Sequence, residues 1–340
     1  MKALKYILLL LLILIIGGAI YFALLDGTYD ITETKVIDAP PSLVYEEIED
    51  FKNWENWNGW LDKEDVELTL GQQTSGVDAY FTFEDEHGDG KMVITGLDPN
   101  KRVSMDMTYD SGLAVSNSDV TMVLEPVEQG TQITWNIKGE QGLIEKAVGK
   151  VFGIDMEEEI RPMYTQSLNQ LDAHLQKEMA IYSTNVDGII QTGGGYYLYM
   201  SSSANMDNFS AIMGQMLQNI MAYMQRNNID MYGMPMSIYE KFDPTNNSVI
   251  FSAAIPVKDR VITETDSNVL CSYREPGKAV KVTLKGSYEH LQEAWNQGQN
   301  FIQQNGLQEA EAPPYEIYKT DPSLTPNPAN FLTEVYLPIQ

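Results

Sequence analysis

Pro314-Tyr315-Glu316-Ile317-Tyr318, then Asp321-Pro322, then Thr333-Glu334-Val335-Tyr336-Leu337-Pro338-Ile339, has an earlier counterpart in the chain. Pro235-Met236-Ser237-Ile238-Tyr239, Asp243-Pro244 and Phe251-Ser252-Ala253-Ala254-Ile255-Pro256-Val257 run through the same order of apolar, polar and turn-forming positions. An amphipathic segment precedes each block. Phe209, Ile212, Met213, Met216, Ile220 and Met224 fall at i, i+3, i+4, i+7 spacing. Leu291, Ala294, Trp295, Gly298, Phe301 and Ile302 do the same, and Asn305-Gly306 supplies the stop. Each copy therefore reads as a strand, a helix and two strands. Two such units predict an α+β domain over about 185–340, with both helices on one face of a shared antiparallel sheet and a cleft at the pseudo-twofold axis.

Upstream, the pattern is mostly that of strands. Thr28 to Ile37 alternates, Ala39-Pro40-Pro41-Ser42 breaks it, and Val44, Ile48 and Phe51 mark a short helix. Six β-rich runs follow at 66–70, 77–83, 91–97, 102–109, 119–125 and 131–137, separated by turn chemistry such as Glu86-His87-Gly88-Asp89-Gly90 and Asp98-Pro99-Asn100. Ile160, Met163, Tyr164, Leu168, Leu171, Leu175 and Met179 then keep one apolar stripe, with Pro162 either starting this helix or kinking it.

This order is that of a helix-grip fold, and the residues carry a family pattern. Val36-Ile37-Asp38-Ala39-Pro40, Val44-Tyr45, Phe51, Trp54 and Trp57-Asn58-Gly59-Trp60 resemble the opening of the START-like superfamily, often labelled polyketide cyclase/dehydrase (SRPBCC). The resemblance covers 26–182 and implies a long C-terminal helix closing an apolar cavity over a curved antiparallel sheet. It implies a cavity and not a reaction. Trp54, Trp57, Tyr80 and Trp135 are candidate ligand contacts there; each is alternatively core packing.

The repeated half resembles the GyrI-like small-molecule-binding family, on Gly286-Ser287-Tyr288 and on the closing motif quoted above. The family serves as effector-binding domains of multidrug-sensing activators, and some members resemble hydrolases of strained electrophiles. It implies a cleft carboxylate among aromatics that receives cationic or planar ligands, and Glu334 is the position expected to supply it. The first repeat has Ser252 there, and a His common in the family is Leu284 here. Period-2 alternation puts Leu332, Glu334 and Tyr336 on one face. Tyr199, Tyr288, Trp295, Tyr318 and Tyr336 are the expected aromatic surroundings.

Residues 7–25 are uncharged and almost wholly apolar, close to the length that crosses a bilayer. The run outlasts an ordinary signal-peptide core, so an uncleaved anchor over 1–25 is expected rather than a cleaved leader. Lys2 and Lys5 before it, with Asp26, Asp30 and Glu33 after it, predict a cytoplasmic N-terminus and extracytoplasmic domains. The chain has 340 residues, with 22 Lys and Arg against 48 Asp and Glu, a net charge of −26. Such acidity disfavours a nucleic-acid partner.

A single cysteine, Cys271, and three separated histidines supply no ligand-spaced cluster, so no metal or other cofactor is expected. The methionines between Met200 and Met236 suit Cu(I) in principle, but Met213, Met216 and Met224 lie on the apolar helix stripe. No P-loop, GxGxxG before a helix, or GxSxG elbow occurs. Gly193-Gly194-Gly195 precedes a strand and reads as a hinge. Three functions follow: a membrane-anchored sensor, scavenger or carrier of small hydrophobic or cationic molecules; a hydrolase with Glu334 as base and Tyr288 or Tyr318 as donor; or an interaction scaffold.

Overall fold

The computed structural model describes residues 2–61, 66–243 and 245–340, so Pro244 of the repeated Asp-Pro lies outside the described residues. The chain divides into two compact units, Met1–Lys177 and Glu178–Gln340.

In the first unit an apolar helix, α1 (Lys2–Ala23), leads into β1 (Thr28–Ile37), α2 (Pro41–Glu49) and a 3-10 turn at Trp54–Asn56. There follow β2 (Glu67–Leu70), β3 (Tyr80–Asp85), β4 (Gly88–Asp98), β5 (Arg102–Asp110), β6 (Val115–Val127), β7 (Gly130–Glu140), α3 (Leu143–Phe152) and α4 (Met156–Met179). The seven strands form one antiparallel sheet in the order β1-β7-β6-β5-β4-β3-β2. Alternation sets its faces: in β7, Thr131, Ile133, Trp135 and Ile137 are buried while their neighbours are less so. The stripe of α4 buries Ile160, Tyr164, Leu168, Leu171 and Leu175. Pro162 does not start this helix, which begins at Met156; the proline lies inside it. Arg161 holds α4 to β1, donating to Thr32 O at 3.0 Å and to Glu33 at 3.1 Å. Helix α3 is an element that the strand-rich reading of 26–182 did not include.

Gly90 in β4 shows why the turn before it is glycine-rich. A Cβ there would lie 1.9 Å from the Phe83 ring, which crosses the strand at that point. The turn thus frees space for an aromatic side chain.

The second unit comprises β8 (Ser183–Thr192), β9 (Gly195–Asn205), α5 (Phe209–Arg226), β10 (Met236–Asp243), β11 (Ser248–Val257), β12 (Leu270–Arg274), β13 (Gly277–Lys285), α6 (Leu291–Gln304), β14 (Tyr315–Tyr318) and β15 (Leu332–Ile339). The sheet order is β12-β9-β11-β10-β14-β15-β13-β8. Its inner six strands are the two copies, β9-β11-β10 against β14-β15-β13. Ser237 and Glu316, equivalent in the repeat, are direct cross-strand partners, so the pseudo-twofold axis passes between them.

The helices pack on one face. Helix α5 covers Leu198, Val249, Phe251, Ala253 and Ile255, and α6 covers Val280, Val282, Val335 and Leu337. The opposite face carries a separate apolar cluster that includes Met236, Ile238, Tyr315 and Tyr336. Strands β8 and β12 add a further device. Gly277 pairs with Thr192 and Arg274 with Gly195, the same register on both sides of the turns, so β8–β9 and β12–β13 form one bent antiparallel ribbon. Gly194 sits at its bend, where a Cβ would be 2.6 Å from Tyr273 OH and 2.8 Å from Arg274 O. Within the glycine run Gly194 is therefore closely packed, whereas a Cβ at Gly193 or Gly195 would meet open space.

Candidate functional site

The first unit encloses a cavity of about 650 Å³ between its sheet and α3 and α4. Trp54, Phe81, Met92, Met107, Ile160 and Trp135 give it an apolar wall. Trp135 stacks on Tyr164, ring centroids 4.0 Å apart, and Trp60 meets Phe83 edge-on at 4.2 Å. Gly59 N donates to Ser167 Oγ at 3.1 Å, which fixes the segment after the 3-10 turn against α4.

Polar side chains, among them Asn58, Asp85, His87, Glu145 and Glu159, also line the cavity. Tyr29 OH and Ser118 Oγ satisfy each other at 2.6 Å. Tyr109 donates to Asp85 at 3.1 Å, and burial, reinforced by that carboxylate, pushes its hydroxyl up to about 12. Trp135 is 3% exposed, and among the described residues its indole N–H has no acceptor, as is also true of the core Trp57. A buried donor left so is costly, about 1–3 kcal/mol, unless something in the cavity accepts from it.

Of the tryptophans and tyrosine expected here, Trp54 and Trp135 line the cavity, as Trp60 does. Trp57 does not; it is core, packed against Trp54 at 5.1 Å and Trp135 at 6.0 Å. Tyr80 points away, because Phe81 and Phe83 take the inward positions of β3, and Lys91 Nζ lies 4.4 Å from its ring.

In the second unit a carboxylate lies between the two helices on the pseudo-twofold axis, and it is Glu316. Its residue is 1% exposed. Trp295 Nε1, from α6, donates to Oε1 at 2.6 Å. Tyr239 OH stands 2.8 Å from Oε2, Tyr318 OH 2.9 Å, and Ser237 Oγ 3.3 Å. Tyr239 and Tyr318 are repeat equivalents, so the duplication delivers a matched pair of phenols to one carboxylate. Tyr288 packs edge-on against Tyr318 at 5.4 Å and completes the collar. Burial pushes the Glu316 carboxyl above its ordinary range, the four donors working against it. Burial and the carboxylate together hold Tyr239 and Tyr318 far above a normal phenol. Among the described residues no Lys or Arg pairs with Glu316. Four neutral donors surround a buried carboxyl group, an arrangement that a cation would complete when the group is ionised.

Glu334 takes a different place from the one expected. Val335, Leu337 and Ile339 pack under α6, so alternation turns Glu334 and Tyr336 to the face away from both helices. There Lys281 Nζ lies 2.8 Å from Glu334, Lys319 Nζ 3.8 Å, and Tyr336 OH donates at 2.9 Å. Burial opposes its charge, yet the hydrogen bonds from Lys281 and Tyr336 prevail and hold its pKa below the usual value. Tyr199, which neighbours Tyr197 in the apolar cluster of that face, also lies away from the helices. The structure thus gathers Tyr288, Trp295 and Tyr318 around Glu316 and separates them from Glu334, Tyr336 and Tyr199. The repeat held the signal for Glu316: aligned with Ser237, it places an acid in the second copy where the first has a neutral hydroxyl.

Residues 28–176 match the family model described as polyketide cyclase/dehydrase and lipid transport, and residues 196–340 match the GyrI-like small molecule binding domain. No curated protein matches the sequence. Similar solved structures include protein CV1439 from Chromobacterium violaceum, at 19% identity over 42% of this chain and 94% of that one, with a TM-score of 0.34. The EcmrR C-terminal domain is 16% identical over 47% of this chain and 98% of that one, with a TM-score of 0.39. EcmrR in a complex with DNA is 17% identical over 58% of this chain and 71% of that one, with a TM-score of 0.41. The chain is accordingly a tandem of a polyketide cyclase/dehydrase and lipid-transport domain and a GyrI-like small-molecule-binding domain.

Proposed function

We propose that the protein is a membrane-anchored binder of small molecules with two chemically distinct sites: an apolar cavity in the first domain, and a cation-selective site at Glu316 in the second. The buried, cation-free carboxylate of Glu316 carries this reading. Its aromatic neighbours suit a planar or lipophilic cation, whose charge the carboxylate offsets and whose apolar surface the rings cover. Helix α1 supports the anchor: Leu4–Ala23 is apolar, long enough to cross a bilayer, and wholly unburied within the protein. The flanking charges favour domains outside the cytoplasm, and the acidity of the chain opposes binding to DNA.

Titration of the full chain with tetraphenylphosphonium by calorimetry tests the second site. Glu316→Gln is expected to weaken binding roughly tenfold or more, the loss of at least about 1.4 kcal/mol, whereas Glu334→Gln leaves it within about twofold. Equal effects of the two substitutions, or none from Glu316→Gln, reject the assignment. The hydrolase reading finds less support. Glu334 as base is on the opposite face from Tyr288 and Tyr318 as donors, and a carboxylate held by Lys281 is a weak base.

A further inference from the structure

Helix α3 lies in a revealing position. The first-unit sheet has two ends, and α1 enters it at Thr28. Thr28 pairs with Glu140, Asp85 with Gly88, and Asp110 with Val115, so the β3–β4 turn, the β5–β6 turn and the start of α3 all lie at that same end. The connection is fastened by two hydrogen bonds, Gln141 N to Gly27 O at 2.9 Å and Lys146 Nζ to Leu25 O at 3.0 Å. The last residues of the apolar span are thereby tied to the first turns of α3.

The cavity also opens at this end. Trp54, Phe81 and Trp135 are its closed floor, while Leu113, 70% exposed, Ile144 and Ile154 line it and show their side chains outside. Helix α3, Leu-Ile-Glu-Lys-Ala-Val-Gly-Lys-Val-Phe, buries no residue, and Val151 and Phe152 at its end are 68% and 75% exposed. Exposed apolar side chains at a cavity mouth, here beside the polar lining residues Asp85, His87 and Glu145, are an ordinary interaction surface. Here a bilayer-spanning helix leaves the domain a few residues from that rim. Interfacial helices sink an apolar face about 5–10 Å into the boundary between headgroups and acyl chains, with Lys at the polar edge; of the two lysines of α3, Lys150 is exposed and Lys146 is engaged by Leu25 O.

We infer that α3 and the β5–β6 turn dock into the bilayer that holds α1, so that the first-domain cavity opens onto the membrane and takes its ligand, an amphiphile with an acyl or similarly apolar body, directly from the lipid phase. This rests on the anchor reading of α1.

Site-specific labelling of the full chain tests it, in vesicles of phosphatidylcholine alone and in a Cys271→Ser background. An environment-sensitive nitrobenzoxadiazole label is placed at Val151→Cys, or at Lys101→Cys in the β4–β5 turn at the far end of the sheet, about 30 Å away for a strand of this length. Blue-shifted emission at position 151, with quenching by doxyl-labelled lipid roughly twofold or more stronger than at 101, is expected. Phe152→Asp should abolish the difference without moving the unfolding midpoint, since the side chain is exposed. A retained anchor with equal quenching at both positions overturns the docking alone. Blue-shifted emission at 151 that lipid quenchers do not reach means that a second copy covers the helix, and overturns it too. A purified chain that mass spectrometry shows to lack its first residues removes the anchor reading and the inference with it.

Discussion

Glu316 illustrates how burying one ionisable side chain costs stability. Its folded pKa lies above the unfolded one, so the native state holds the proton more tightly, and stability is lost as the pH rises from the ordinary carboxylate range through the raised value. Glu316→Gln removes that loss. Thermal melts of the two chains should converge in acid and separate towards neutral pH, where the Gln variant unfolds a few degrees higher; a lower midpoint at neutral pH contradicts this account. Glu334 has the opposite sign, because its lowered pKa contributes stability that is lost as the pH falls. Trp135 makes the parallel case in the first domain. Trp135→Phe removes a buried indole N–H without an acceptor among the described residues, so the midpoint should rise by a few degrees, the relief of about 1–3 kcal/mol less what the smaller ring loses in packing. A midpoint that falls would show that ring packing outweighs the unsatisfied N–H.

At the scale of elements, period-2 alternation was legible in β15, and it grouped Glu334 with Tyr336, whose hydroxyl donates to that carboxylate. Which of the two faces lies under the helices was not, because alternation is symmetric between faces until packing selects one. Val335 and Leu337 were taken by α6, and the face of Glu334 followed. Helix α3 escaped notice for a related reason. It has apolar residues at helical spacing but buries none within the protein, so nothing in a two-layer helix-grip pattern calls for it. Gly90 is where strand geometry depends most tightly on one residue. Gly90→Ala puts a methyl into the Phe83 ring, which already meets Trp60 and lines the cavity. Overpacking of this kind costs about 1–3 kcal/mol, and a midpoint unchanged in thermal unfolding would mean that the ring has room to swing aside.

For the whole molecule, the net charge of −26 becomes −28 once the two lysines of the first 25 residues are set aside. Charge of this size raises the local concentration of cations near any cleft. Affinity for tetraphenylphosphonium should therefore weaken a few-fold as salt rises from about 0.05 M to about 0.5 M, where the screening length drops severalfold. Salt-independent binding would restrict the electrostatics to Glu316 itself. Composition, two periodicities and an internal repeat were enough, by themselves, to determine an apolar N-terminal segment, a strand-rich α+β domain and a duplicated one, since these features are local and recur along the chain. Tertiary structure alone decided which acid is buried on the pseudo-twofold axis, which tryptophans line the cavity and which is core, and that the cavity mouth shares an end with α1. Each depends on residues far apart in sequence being brought together, and periodicity determines a face of an element but not what lies against it.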